Sequence, residues 1–190
     1  MRRVRLALLS VVAAILLAGC GNTRTPSPDT GAIPSPAEFR EVRYSSEGVS
    51  LRVPANWRVL KGSGTQLATV AIGDGQIAIW RYARTEPLPV TRSQLHAART
   101  ALVAQIERRD PTFELTSSRL VIKPSLRAVE IVGQATNQGM KRSVRSLHAY
   151  GRGHEVVLDA FAPPEDFARV DMQTFARVTR SLRLLRPEST

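Results

Sequence analysis

The sequence predicts an α+β domain, an α-β-α sandwich with a central, mainly antiparallel sheet and two main helices at about residues 91–109 and 164–182. Three observations carry this reading. Many segments alternate apolar and polar residues with period two, the signature of strands. Their connections are short and rich in Gly, Pro, Asn and Ser, and so cannot hold the long crossovers that parallel pairing demands. Two segments instead repeat their apolar residues at helical spacing, and two amphipathic helices on one sheet make a layered sandwich.

An opening strand precedes Gly48. In the next strand Val49, Leu51 and Val53 share one face, Ser50 and Arg52 share the other, and Pro54 ends it. Leu67 to Ile72 and Gly75 to Ala83 flank Gly73-Asp74-Gly75, a hairpin signal because glycine accepts positive φ. Ile77 and Ile79 line one face of the second of these strands, with Ala78, Trp80 and Tyr82 on the other, so both faces are predicted to be covered. Thr91 and Gln94 form a capping box for the first helix, whose stripe is Leu95, Ala98, Leu102 and Ile106, and Asp110-Pro111 stops it. A meander follows: Phe113 to Lys123, Arg127 to Gln134, Lys141 to Tyr150, and His154 to Phe161, turning at Pro124-Ser125, Asn137-Gln138-Gly139 and Gly151-Arg152-Gly153. The second helix starts near Pro164, with Glu165 and Asp166 at the positive end of its dipole and Phe167, Val170, Phe175, Val178 and Leu182 as its buried stripe.

Residues 38–185 thus read as a single domain and 186–190 as a tail, and what precedes them is of another kind. Arg2, Arg3 and Arg5 lead into an apolar run of 13 residues, Leu6 to Ala18, interrupted only by Ser10. A helix needs about 20 residues to cross the hydrocarbon core, so residues 1–19 read as a signal peptide and not as a permanent span. The run ends in Leu17-Ala18-Gly19-Cys20, which resembles the lipobox of bacterial lipoproteins. That resemblance implies a mature chain starting at a lipidated Cys20, held to the membrane by diacylglycerol and palmitate chains. The alternative is a chance cysteine after an ordinary secretory signal. Cys20 is the sole cysteine, so no internal disulfide can form, and lipidation would give an otherwise unpaired exported thiol a use. Residues 20–37, with prolines at 26, 28, 34 and 36, read as a disordered Pro/Ser/Thr tether. In polyproline II form at ~3.1 Å per residue it would span roughly 50 Å.

The order of elements, the segment Val53-Pro54-Ala55-Asn56-Trp57 and the ending Ser181-Leu182-Arg183 resemble the PsbP-like superfamily, in particular the LpqN-like lipoproteins of actinobacteria. The resemblance implies the same α-β-α sandwich and a non-catalytic protein- or ligand-binding role on the outer face of the cytoplasmic membrane. It brings no active site, because that family shares no catalytic motif.

Constellations that carry chemistry are sparse. No Gly-x-Ser-x-Gly elbow, Walker loop or Gly-x-Gly-x-x-Gly occurs, and the three histidines are His96, His148 and His154. His154-Glu155-Val156-Val157-Leu158 is half of a zinc-peptidase motif whose second histidine is replaced by Leu158; it reads as a strand, with His154 facing solvent after the turn. His148 falls on the side of Val144 and Tyr150, where it either lines a pocket or sits as a satisfied sheet residue. Glu130 and Asp159 lie between apolar strand neighbours, which admits an acid/base pair but favours pairing of each with an arginine. No catalytic, metal or cofactor site is expected.

Charge is the remaining signal. The chain carries 27 Lys and Arg against 16 Asp and Glu, and loss of residues 1–19 would leave 24 basic residues, a formal +8. An exported lipoprotein meets anionic lipid and wall polymers before nucleic acid, so no nucleic-acid partner is expected. Arg177, Arg180 and Arg183 recur every third residue and are the candidate contacts to an anionic surface, against a purely solvated face. The reading is therefore a membrane-anchored, non-enzymatic accessory or adaptor domain acting on an envelope protein or lipid. The alternative is a lipid or small-molecule carrier with a pocket between sheet and helix. Cys20→Ala should release the protein from the membrane fraction or leave it unprocessed; a variant that fractionates and migrates like wild type would refute lipidation.

Overall fold

The computed structural model describes residues 31–137 and 139–187. The expected signal peptide, Cys20 and the first part of the expected tether lie outside the described residues, as does the tail beyond Pro187.

Strands β1 (Phe39–Tyr44) and β2 (Val49–Pro54) form a hairpin that the two-residue strand β10 (Arg183–Leu184) extends into a three-stranded sheet. The other strands are β3 (Arg58–Lys61), β4 (Gln66–Ile72), β5 (Gly75–Ala83), β6 (Glu114–Lys123), β7 (Leu126–Asn137), β8 (Met140–Gly151) and β9 (His154–Ala162). They build a seven-stranded sheet in the order β3-β4-β5-β9-β8-β7-β6, antiparallel at every pairing. The single sheet expected from the sequence is thus two. After β5 the chain runs through helix α1 (Arg92–Arg109) to the far edge of the sheet, and the meander β6 to β9 then works back until β9 pairs with β5. Two-residue turns fix its registers. At Arg152-Gly153 both φ angles are positive, 56° and 80°, the primed geometry whose twist matches the flanking strands.

One sheet face carries the larger core. Val49, Leu51 and Val53 of β2, Ile77 and Ile79 of β5, and Val156, Leu158, Ala160 and Ala162 of β9 meet Val170, Phe175, Val178 and Leu182 from the C-terminal helical segment. Trp57 is 1% exposed and meets Phe175 edge to face at 6.2 Å between centroids. The opposite face carries α1, whose Thr91–Gln94 capping box is formed as expected and whose Leu95 packs on Val129, Ile131 and Tyr150. Helices on both faces of the large sheet complete the α-β-α sandwich.

The second helix is not continuous. It divides into α2 (Pro164–Val170), a π-helical turn (Asp171–Phe175) and α3 (Ala176–Ser181). The reason lies in the apolar stripe itself: Val170 to Phe175 is a five-residue step, which a regular helix would carry off the buried face and a π turn keeps on it. The turn is held to the sheet by Arg145 of β8, which binds Asp171 at 2.5 Å and Glu130 of β7 at 2.6 Å. Burial opposes the charge on Glu130, but hydrogen bonds from Arg119 and Arg145 outweigh it and hold the carboxyl below its usual range.

Two further expectations change. The ordered domain begins before Glu38: Ile33 is 3% exposed, seated where a Cβ on Gly75 would touch it, and the Ala37 amide donates to Asn56 Oδ1 at 2.9 Å. Ile33 is the apolar side chain that closes the Trp57 end of the core, while Pro34, Ser35 and Ala37 around it remain exposed. His154 is 1% exposed and does not face solvent, since it is in phase with Val156 and Leu158 on the core side of β9. Its desolvation pushes the imidazole pKa down. Trp57→Ala should cost about 3–5 kcal/mol of stability in urea unfolding, because the indole fills a site lined by rigid core side chains; a loss under about 1 kcal/mol would contradict this packing.

Candidate functional site

Alternation along β9 separates two interiors. Val156, Leu158, Ala160 and Ala162 enter the apolar core, so Glu155, Val157, Asp159 and Phe161 must face the α1 side. The register places a partner on each flank. Glu155 lies between Tyr82 and Tyr150, Val157 between Trp80 and His148, Asp159 between Ala78 and Ser146, and Phe161 between Gln76 and Val144. Leu95 seats the N-terminal half of α1 on the sheet. The C-terminal half, with Leu102 and Ile106, instead roofs a cleft of about 370 Å³. Phe113 closes one end, its ring lying where a Cβ on Gly133 would be. The walls are apolar and the floor is not.

Glu155 is 1% exposed, and its carboxylate is fully engaged. Arg84 donates to Oε2 through both Nε, at 2.8 Å, and Nη2, and His148 lies with Nδ1 2.6 Å from Oε1. A carboxylate only accepts, so the imidazole proton sits on Nδ1. Burial disfavours the charge, but the bonds from His148 and Arg84 hold the carboxyl below its usual range. The neighbouring phenol of Tyr150 is pushed up, first by burial and then by the Glu155 charge. Two residues along, Ser146 Oγ donates to Asp159 Oδ1 at 2.6 Å. Among the described residues Asp159 makes no ion pair.

This arrangement can bind but is poorly suited to acyl transfer. Ser146 gives its proton to a carboxylate and has no imidazole on it, and the one imidazole nearby is committed to Glu155. Among the described residues no group of three or more His, Cys, Asp or Glu side chains is arranged to hold a metal ion.

The structure separates Glu130 and Asp159, the acid/base pair the sequence admits, onto opposite faces of the sheet. Glu130 takes Arg119 and Arg145, as expected of a buried carboxylate among arginines, whereas Asp159 takes a serine. His148 does face the side of Val144, in the cleft. Of the three candidate arginines, Arg177 and Arg180 are in α3, but the helix ends at Ser181, so Arg183 stands on β10 and helical spacing does not relate it to them. All three are exposed. Arg177 lies 4.5 Å from the centroid of the Phe39 ring, and Arg177 and Arg183 line adjoining hollows that share Arg52 and Ser181. Arg180 turns away to a groove against β6, where it sits with Arg119 and Lys123. The residues not singled out from sequence are Tyr82, Arg84 and Arg52. In the sequence Glu155 stands out only within a broken metal motif, yet the turn at Arg152-Gly153 sets it opposite Tyr150 by register alone.

No protein-family model matches the chain, and no curated protein matches it significantly. Solved structures do. The solution structure of cyanobacterial PsbP (CyanoP) from Synechocystis sp. PCC 6803 aligns with a TM-score of 0.60 at 13% identity, covering 88% of this chain and 98% of that one. LpqN of Mycobacterium tuberculosis, a protein involved in cell envelope biogenesis, aligns with a TM-score of 0.54 at 16% identity, covering 78% of this chain and 91% of that one. Identities this low speak to fold alone. The seven-stranded antiparallel sheet with helices on both faces is a PsbP-like fold, shared with CyanoP and LpqN.

Proposed function

We propose that this chain is a membrane-anchored bacterial lipoprotein whose folded domain is a non-enzymatic accessory or adaptor module on the outer face of the cytoplasmic membrane. The observation that carries the non-enzymatic reading is that Glu155, His148 and Arg84 engage one another and Ser146 engages Asp159, so the cleft offers paired groups and no activated nucleophile. The anchor rests on Leu17-Ala18-Gly19-Cys20. The fold it shares with LpqN, a protein involved in cell envelope biogenesis, supports an envelope role. Among the described residues no helix is long and apolar enough to cross a membrane.

The surface that would meet an anionic lipid or an acidic partner is basic on both sides of α3. Arg52, Arg177 and Arg183 surround Ser181 on one side; Arg180, Arg119 and Lys123 border a groove on the other, beside the exposed apolar side chains of Met172 and Ile122. Each arginine near an anionic surface contributes ~1 kcal/mol, fading beyond about a Debye length of 8–10 Å. A tether raises the local concentration, so a weak patch suffices. A second reading, a small-molecule carrier, is favoured by the cleft under α1, which lies between sheet and helix where such a pocket belongs.

Liposome co-sedimentation of the chain without residues 1–20 tests the surface. Wild type should bind anionic vesicles at low salt and release at high salt, and the triple variant Arg177→Glu, Arg180→Glu, Arg183→Glu should bind them several-fold less. Equal binding of the two proteins, or none at low salt, would return these arginines to an ordinary solvated face.

A further inference from the structure

We propose that the cleft under α1 is a binding site for a small organic cation with an apolar body, its ammonium group received by Asp159. This inference rests on the second reading above, that the cleft takes a ligand, and adds which chemistry it selects.

Three observations point to a cation. The cleft is acidic within a basic protein: its lining carries two arginines against three carboxylates, whereas the whole chain has a formal charge of +11. Those charges are unevenly satisfied. Glu155 holds Arg84 and His148, and Asp110 accepts from the backbone and hydroxyl of Thr112 at the end of α1, but among the described residues Asp159 has only the hydroxyl of Ser146, on one of its two oxygens. A carboxylate facing an apolar cleft with spare acceptor capacity is completed best by a charge-assisted donor or an ammonium. The surroundings also suit the ligand's remainder. Tyr82, Phe113 and Phe161 present aromatic rings to the cleft, Tyr82 being backed by Trp80 in a stacked pair 6.4 Å apart. Aromatic faces attract alkylammonium groups, and Leu102 and Val157 accept an alkyl chain. The negative field reaches Tyr82, whose phenol is pushed up by burial and then by the charges of Asp159 and Glu155.

An anionic ligand would meet the opposite situation. Arg84 is already committed to Glu155, which leaves only Arg109, at the exposed end of α1, to receive a negative group. Nothing on the floor would then offset repulsion by Asp159. The volume, about 370 Å³, suits a ligand of modest size, at the small end of ordinary ligand pockets.

The test compares three probes with the same chain length: hexyltrimethylammonium, 1-hexanol and hexyl sulfate. Each is titrated into the full chain with labelled Ile, Leu and Val methyl groups. The expected result is saturable shifts at Leu102, Ile106, Val144 and Val157 with the cation, at an affinity about tenfold above the alcohol, and no response to the sulfate. Asp159→Asn keeps the acceptor for Ser146 and should bring the cation down to the level of the alcohol. Leu102→Trp, a substitution on the helix that roofs the cleft, should abolish shifts from every probe and keeps the site testable if the first variant does not fold. If cation and alcohol bind the cleft equally, or Asp159→Asn leaves the preference intact, the cationic class is wrong while the cleft remains a ligand site. If no probe shifts these methyl groups, the cleft reading itself fails, and the inference with it.

Discussion

Both faces of the central strand are covered, and most of the molecule follows from that constraint. β9 is paired on each side, by β5 and by β8, with the C-terminal helical segment over one face and α1 over the other. Its side chains all point into one interior or the other, and only Asp159 and Phe161 keep partial exposure. Its alternate side chains must therefore satisfy two different interiors, and the sequence does so with Val156, Leu158, Ala160 and Ala162 in one phase and Glu155, Val157, Asp159 and Phe161 in the other. Polar atoms placed at such depth must be bonded, which is why Arg84 and His148 converge on Glu155 and why Ser146 stands opposite Asp159.

The two interiors are built for different ends. The first is closed by large rigid side chains, with Trp57 against Phe175 and Ile33 over Gly75, and it carries a buried ionic network, Arg145 between Glu130 and Asp171, where the π turn crosses the sheet. Breaking such a buried network by removing one partner strands a charge, so it fixes the placement of the helical segment more than it adds net stability. The second interior is only half closed. Leu95 docks one end of α1, and the rest of the helix spans a polar floor that its own side chains do not fill. Stability is thereby concentrated on one face and room for a ligand left on the other.

Much of this was legible from residue patterns. Period two along Val49 to Val53 and along Ile77 to Tyr82 gave both strands and their buried faces, and Thr91 with Gln94 gave the helix start, because these signals are local. The failures arose where tertiary packing overrides composition. A Pro-rich stretch hid Ile33, whose role depends on Gly75 some forty residues away. The five-residue step from Val170 to Phe175 is visible in the sequence, but only the burial of both side chains on one face shows that a π turn absorbs it. The site was half legible: the phase of His148 was readable, but that His154 would be buried, Asp159 left without an arginine and Arg84 brought to Glu155 required the pairing of β9 with β5, a contact across seventy residues of chain.

The central claim, that one strand divides a filled interior from an open one, is tested most directly by comparing two alanine substitutions on β9 in equilibrium urea unfolding. Leu158→Ala removes fewer apolar atoms than Phe161→Ala. The account nevertheless predicts the larger loss for Leu158→Ala, about 2–5 kcal/mol, because it opens a cavity in rigid surroundings, whereas Phe161 borders space that already exists. A loss for Phe161→Ala equal to or greater than that for Leu158→Ala would show that the α1 face is packed like the core, and would contradict the account.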